Sequence, residues 1–285
     1  MRTIRSSGGT PLAVHELGGR GRPTLLCHAT GFHGAVWEPF ARALPDDLER
    51  WAVDFRGHGA SVVPPEHPLD WGGFRDDVLA VVDGIDLPPG RVLGVGHSMG
   101  GAALVLAEQA RPGTFAGLWL FEPIVPPPGW LPGRDDPERP NPMADTAIRR
   151  RAEFPSAGAA LANYASKPPL DRLRADALHA YVRHGFVPLT EDPAGPVRLA
   201  CRPEDEARVF RGAPAHNGFA RLGEVRCPVV IACGEEPAGP RSFVEPVVDA
   251  LPEGRLHLFT GLGHFGPLEA PDLVAAAVAD FAAGL

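Results

Sequence analysis

Short apolar runs recur at residues 23–27, 50–53, 92–95, 118–121, 228–233 and 255–259, each bounded by Gly, Pro or charged positions. Runs of this length predict strands, and the run at 23–27 has the look of a buried one. Between them, residues 35–44, 71–85 and 271–281 place apolar side chains at helical spacing, and the alanine- and leucine-rich stretch after Gly101 does the same. Two extended segments, Thr3-Ile4-Arg5 and Leu12 to Leu17, flank Ser-Gly-Gly-Thr-Pro turn chemistry and predict an N-terminal hairpin. Strands alternating with helices predict an α/β fold with a mostly parallel, doubly wound sheet.

The alternation stops at Ile124. Pro123, Pro126-Pro127-Pro128, Pro132, Pro137, Pro140 and Pro142 crowd one stretch, which excludes a strand or a helix interior there. Helical patterns follow at residues 144–153, 156–166, 170–185 and 204–210, with no strand signal between them. The pattern therefore divides the chain into a sheet domain from residues 1–123 and 215–285 and an inserted helical cap at residues 124–214. Trp130, Phe154, Tyr164, Tyr181 and Phe186 are the aromatic residues of the insertion that could line a pocket, against the simpler role of cap core.

Composition narrows the function classes. The 285 residues are 44% hydrophobic with a net charge of −8, so a large soluble core is available and the electrostatic footprint of a nucleic-acid or anionic-membrane binder is missing. Arg149-Arg150-Arg151 reads as a solvated helix face. The start of the chain lacks an apolar signal segment, which leads to the expectation of a cytoplasmic protein. Cys27, Cys201, Cys227 and Cys233 form no Cys-x-x-Cys pair and read as small buried hydrophobes, so neither metal nor other cofactor is expected.

The candidate chemistry begins at Gly96-His97-Ser98-Met99-Gly100, where an apolar strand ends and a helix starts at once. Serine in Gly-x-Ser-x-Gly on a strand–turn–helix sits on a strained elbow, its hydroxyl raised above the sheet edge, with the next backbone N–H at a helix N-terminus. At this motif the chain resembles the α/β-hydrolase superfamily, and further segments extend the likeness. His28-Ala29-Thr30 follows the first central strand where the superfamily usually has His-Gly; Asp54-Phe55-Arg56-Gly57-His58-Gly59-Ala60-Ser61 resembles its Asp-x-Arg-Gly-x-Gly-x-Ser loop; Gly261-Leu262-Gly263-His264 precedes the last helix.

The resemblance implies Ser98 as nucleophile, His264 as base, and the N–H groups of Met99 and Thr30 as oxyanion donors. Asp54 and Arg56 read as ties within a glycine-rich bend, His28 as a loop-orienting histidine bonded to backbone, and His97 as structural. The superfamily's usual aspartate slot, in Gly234-Glu235-Glu236-Pro237, holds proline. Some branches of the superfamily place a Glu after the strand that follows the nucleophile helix, and that resemblance assigns the third member to Glu122, which precedes Pro123 at the expected extended end of its strand, with Glu235 or Glu236 as the alternative. A serine in place of a carboxylate nucleophile argues against dehalogenase and epoxide hydrolase chemistry. The expectation is a cofactor-independent serine hydrolase acting on a small carboxylic ester or lactone, a small-molecule substrate. The alternatives are a C–C bond hydrolase or perhydrolase, or a non-hydrolytic binding or cyclase member of the fold.

Overall fold

Alternate residues of the central strands face opposite layers. In β3 (Arg22–Cys27), Leu25 and Cys27 join one apolar cluster while Leu26 joins the other. The computed structural model describes residues 1–130, 140–235 and 240–285. Its main sheet combines β1 (Arg2–Arg5), β2 (Pro11–Glu16), β3, β4 (Leu48–Val53), β5 (Val92–His97), β6 (Phe115–Phe121) and, after the insertion, β10 (Val229–Gly234) and β11 (Gly254–Phe259). On one face lie α2 (Trp71–Gly84), α3 (Met99–Ala110) and α8 (Pro240–Ala250), through Phe74, Ala103 and Val247. The other carries α1 (Glu38–Ala43) and the terminal α10 (Pro271–Ala283), through Phe40 and Val278.

The eight strands run in the order β1-β2-β4-β3-β5-β6-β10-β11. The N-terminal hairpin is antiparallel and β2 joins β4 antiparallel, while every later pair is parallel. From β3 the chain moves outward to β4 and then returns to place β5 on the other side of β3. That reversal opens a crevice at the carboxyl ends of β3 and β5, where open α/β sheets bind ligands. The chemistry-bearing segments His28-Ala29-Thr30 and Ser98 both leave the sheet there.

The insertion between β6 and β10 corrects the sequence reading. Besides α4 (Pro142–Ile148), α5 (Ala157–Ala165), α6 (Ala175–His184) and α7 (Pro203–Gly212), it contains a three-stranded antiparallel sheet of β7 (Glu153–Phe154), β8 (Phe186–Pro188) and β9 (Val197–Leu199). The insertion is therefore not wholly helical. Strands of two or three residues are too short to show a period in the sequence. The helix expected over 170–185 is broken: a 3₁₀ turn at Leu170–Arg172 is followed by extended Leu173 and Arg174. Arg174 N–H donates to the Leu268 carbonyl at 2.9 Å, a bond to the core that an unbroken helix would forgo. Helix α4 starts with Pro142 in its first turn and Asn141 as cap, its side chain accepting from Ala144 N–H at 3.0 Å. Pro132, Pro137, Glu236 and Pro237 lie outside the described residues.

The glycine-rich bend after β4 is tied by its charges. Asp54 accepts from Gly34 N–H at 2.6 Å, Ala60 N–H at 2.7 Å and His15 Nε2 at 3.0 Å. Arg56 and Asp77 form a fully buried ion pair at 2.6 Å. Below the same bend, His33 donates through Nε2 to the Tyr181 carbonyl at 3.1 Å, and burial holds its pKa down at about 4. His28 and His58 shift in the same direction, also chiefly through burial. Among the described residues no helix is long and apolar enough to cross a membrane.

Two outcomes follow. Asp77→Asn leaves the Arg56 guanidinium buried without its countercharge and should destabilise the protein by about 3–5 kcal/mol, measured by urea unfolding. His33 moves from an ordinary value of 6.5 down to about 4 on folding, so below pH 6.5 the unfolded chain takes up a proton that the folded protein refuses. Stability should be full above that pH and fall progressively toward pH 4, and a Tm series should show it, with a shallower slope in His33→Gln.

Candidate active site

Ser98 ends β5 with φ 52° and ψ −114°, a left-handed backbone that an ordinary side chain avoids. The neighbouring glycines make the conformation possible. A Cβ on Gly96 would lie 2.6 Å from the Gly101 Cα, one on Gly101 would lie 2.8 Å from Pro123 Cβ, and one on Gly100 would collide with the Cys27 carbonyl. Strand, helix and the end of β3 can therefore approach closely only without those side chains. The elbow is fixed by Ser98 N–H donating to Phe121 O at 2.9 Å and by Ile124 N–H donating to Ser98 O at 3.2 Å. The serine is buried, at 7% exposure, and its hydroxyl forms no hydrogen bond with any described residue.

His264 reaches the elbow from the loop after β11. Its Nδ1 bonds Glu122 Oε2 at 2.5 Å, and the other Glu122 oxygen accepts from Gly234 N–H at 3.0 Å. Nε2 of the ring has no hydrogen-bond partner among the described residues. Glu122 follows β6 directly and is buried, but its φ is 44° rather than the extended value expected before a proline. The turn lets one carboxylate serve both donors, and those charge-assisted bonds offset a backbone strain of about 1–3 kcal/mol. Glu235 is exposed.

The loop is buttressed from behind. His97 Nε2 donates to the His264 carbonyl at 2.7 Å, and the two rings lie 4.9 Å apart. Burial, followed by the nearby His264, pushes the His97 pKa well below its ordinary value, so the ring is a neutral strut. Glu269 accepts from Gly263 N–H at 3.1 Å and pairs with Arg172 at 3.0 Å. The link from His97 to the His264 loop could not be read from a strand pattern, because it depends on a segment 167 residues away.

Two backbone amides near the ends of β5 and β3 have no acceptor among the described residues. Met99 N–H is the first of α3 and has no partner within the helix, and Thr30 N–H donates to no described acceptor. The Thr30 loop is shaped by Gly31 at φ 79° and by Phe32 N–H donating to Ala29 O at 3.1 Å. His28 orients it through backbone alone: Nδ1 donates to Ala29 O at 2.7 Å, and Nε2 accepts from Phe55 N–H at 3.1 Å.

The aromatic candidates of the insertion separate into two groups. Trp130 is 44% exposed and packs edge-on against Phe243 at 5.2 Å, apart from the others. Phe154, Tyr164, Tyr181 and Phe186 pack together, with Tyr181 lying 5.0 Å from Phe32 and Phe32 5.3 Å from Phe265 beside His264. Arg150 is no part of a solvated helix face, because α4 ends before it at Ile148. Its guanidinium turns inward to Glu206, to Tyr164 Oη at 3.2 Å and to Tyr181 Oη at 2.5 Å. Arg149 and Arg151 remain at the surface.

A sequence profile of the Alpha/beta hydrolase family matches residues 24–277. The chain is 42% identical over 104 residues to the monoglyceride lipase of Homo sapiens, covering 35% of this chain and 34% of that protein. It is 32% identical over 171 residues to the 2-(acetamidomethylene)succinate hydrolase of Mesorhizobium japonicum, covering 51% and 58%. The first match thus spans about a third of its relative's length, and the second less than two thirds. The crystal structure of E-2-(acetamidomethylene)succinate hydrolase superposes with a TM-score of 0.79 at 23% identity, covering 98% of this chain and 97% of that one. A thermophilic esterase from Thermogutta terrifontis superposes at 0.74 with 20% identity, covering 99% and 98%. The profile match takes in both halves of the sheet, the Ser98 elbow and the His264 loop, and the chain belongs to the alpha/beta hydrolase family.

Proposed function

We propose that this protein is a cofactor-independent serine hydrolase that cleaves small carboxylic esters or lactones through an acyl-enzyme. The observation that carries the reading is the 2.5 Å bond between His264 and Glu122, the latter at the end of β6, with a serine in elbow conformation at the end of the neighbouring β5. A serine hydroxyl is a poor nucleophile at neutral pH and needs a base. In this reading Ser98 Oγ attacks the carbonyl carbon as its proton passes to His264 Nε2. Catalytic hydrogen bonds of this kind tighten when substrate enters, so the free serine is compatible with the role. Glu122, fixed by Gly234, holds the Nδ1–H tautomer and stabilises the imidazolium.

The developing oxyanion accepts from the unpaired amides of Met99 and Thr30, at the positive end of α3. Collapse of the tetrahedral intermediate expels the alcohol oxygen, which takes the proton from His264. Water then enters, gives a proton to the same nitrogen and attacks the acyl carbon; the acyl carbon–Ser98 Oγ bond breaks, Oγ recovers the proton from His264, and the acid leaves. The insertion, with Tyr164, Tyr181 and Phe186, roofs the cleft. Relatives named for ester cleavage, including the monoglyceride lipase and protein phosphatase methylesterase 1 of Mus musculus at 34% identity over 109 residues, support an ester as the substrate.

Release of p-nitrophenol from short-chain p-nitrophenyl esters tests the assignment. Ser98→Ala should lower kcat by about four orders of magnitude or more while the fold, read by circular dichroism, is kept. Glu122→Gln should lower kcat by about 10³- to 10⁴-fold, because the amide cannot stabilise the imidazolium, whereas Glu235→Gln should stay within about threefold. A large effect from Glu235 and a small one from Glu122 would remove Glu122 from the triad.

A further inference from the structure

A charged pair from the insertion packs against the loop that carries Thr30. A Cβ on Gly31, the residue after Thr30, would lie 2.5 Å from Glu206 Oε1 and 3.2 Å from Arg150 Nη1. Arg150 stands just beyond α4, and three later helices each send it a polar partner: Tyr164 from α5, Tyr181 from α6 and Glu206 from α7. The arginine keeps its charge although burial works against it, because Tyr181, Glu206 and Tyr164 more than offset the penalty.

The hydrogen-bond count at this point is unbalanced. Arg150 makes three bonds, to Glu206, Tyr164 and Tyr181, and a guanidinium has five N–H donors. Both tyrosine oxygens accept from the guanidinium, so each keeps its own O–H to give, and no described acceptor takes either one. Against these unspent donors stands one oxygen of Glu206, since its partner oxygen is engaged by Arg150. A donor surplus around a permanently charged, planar group, one residue from an oxyanion amide, suits a ligand rich in acceptors.

Building on the proposed ester hydrolysis, we propose that Arg150, with the Tyr164 and Tyr181 hydroxyls, binds a carboxylate carried on the substrate away from the scissile bond. Glu206 holds one edge of the guanidinium, which leaves the remaining N–H groups and the two hydroxyls to the substrate anion. The substrate class is then a half-ester or lactone bearing a free carboxylate.

The test compares monomethyl glutarate with methyl pentanoate, which differ only in ending the acyl chain with a carboxylate or a methyl group, by methanol release. Charge-assisted hydrogen bonds of this kind correspond to about ten- to hundredfold. The wild-type protein should therefore favour the half-ester in kcat/KM by about tenfold or more, chiefly through KM. Arg150→Met should reduce that ratio about tenfold or more, Arg150→Lys should restore part of it, and Tyr181→Phe should reduce it a few-fold. A wild-type ratio near one, or an Arg150→Met variant that lowers both esters by the same factor, overturns the proposal. If neither ester is cleaved, the hydrolysis reading fails by itself. Calorimetric binding of glutarate to the wild-type protein, lost in Arg150→Met, then supports the carboxylate site, and absence of glutarate binding overturns it.

Discussion

The Glu122 carboxylate binds His264 through one oxygen and the Gly234 amide through the other. For this to happen β6 and β10 must be neighbours, although the whole insertion separates them in sequence, and the loop after β11 must fold back across both. Their register brings this about. Phe121 sits opposite Ala232, so the next residue of β6 emerges beside the end of β10, and Glu122 N–H donates to Ala232 O at 2.8 Å. A Cβ on Gly234 would collide with the Leu262 carbonyl, so the strand end can meet the His264 loop only as glycine. The proposed triad thus depends on the pairing of β6 with β10 more than on any feature of the insertion.

Backbone strain gathers at the same place. Ser98 and Glu122 are two of the three non-glycine residues with positive φ among the described residues, and they end adjacent strands β5 and β6. The elbow points the serine out of the sheet, and the turn at Glu122 aims its carboxylate toward the imidazole. Each distortion is held by bonds the other helps to make: Ser98 N–H is tied to the β6 end, and Ser98 O receives Ile124 N–H from just beyond Glu122. An isolated loop would relax such geometry. Two buried strands joined along their length resist it.

The sheet was legible because its central strands are apolar on both faces and bounded by turn residues, and the proposed nucleophile because Gly-x-Ser-x-Gly fell between a strand and a helix. Glu122 could be placed from its position after β6, yet its backbone could not. Proline at 123 favours an extended residue before it, and the two bonds to the carboxylate prevail over that local preference. The short strands of the insertion escaped notice because β7 to β9 hold too few residues to carry a period. Arg150 was misread for a related reason. Three consecutive arginines look solvated when only neighbours in sequence are considered, whereas the partners that draw Arg150 inward lie on three later helices.

The difference between the two parts of the site has a physical basis. The proposed acid, base and oxyanion donors occupy ends of sheet strands or the loops that directly follow them, and strand pairing fixes those positions within a narrow range for any sequence that folds this way. The polar cluster of the insertion has no such frame. It exists because four side chains of the insertion meet at one point, and a single change among them would leave the Arg150 charge short of a partner. The chemistry proposed on the sheet is therefore held by the fold itself, while the recognition proposed in the insertion is held by side-chain complementarity. In this chain the joint between them is one residue, Gly31, whose missing side chain lets Glu206 and Arg150 pack against the loop that presents the Thr30 amide.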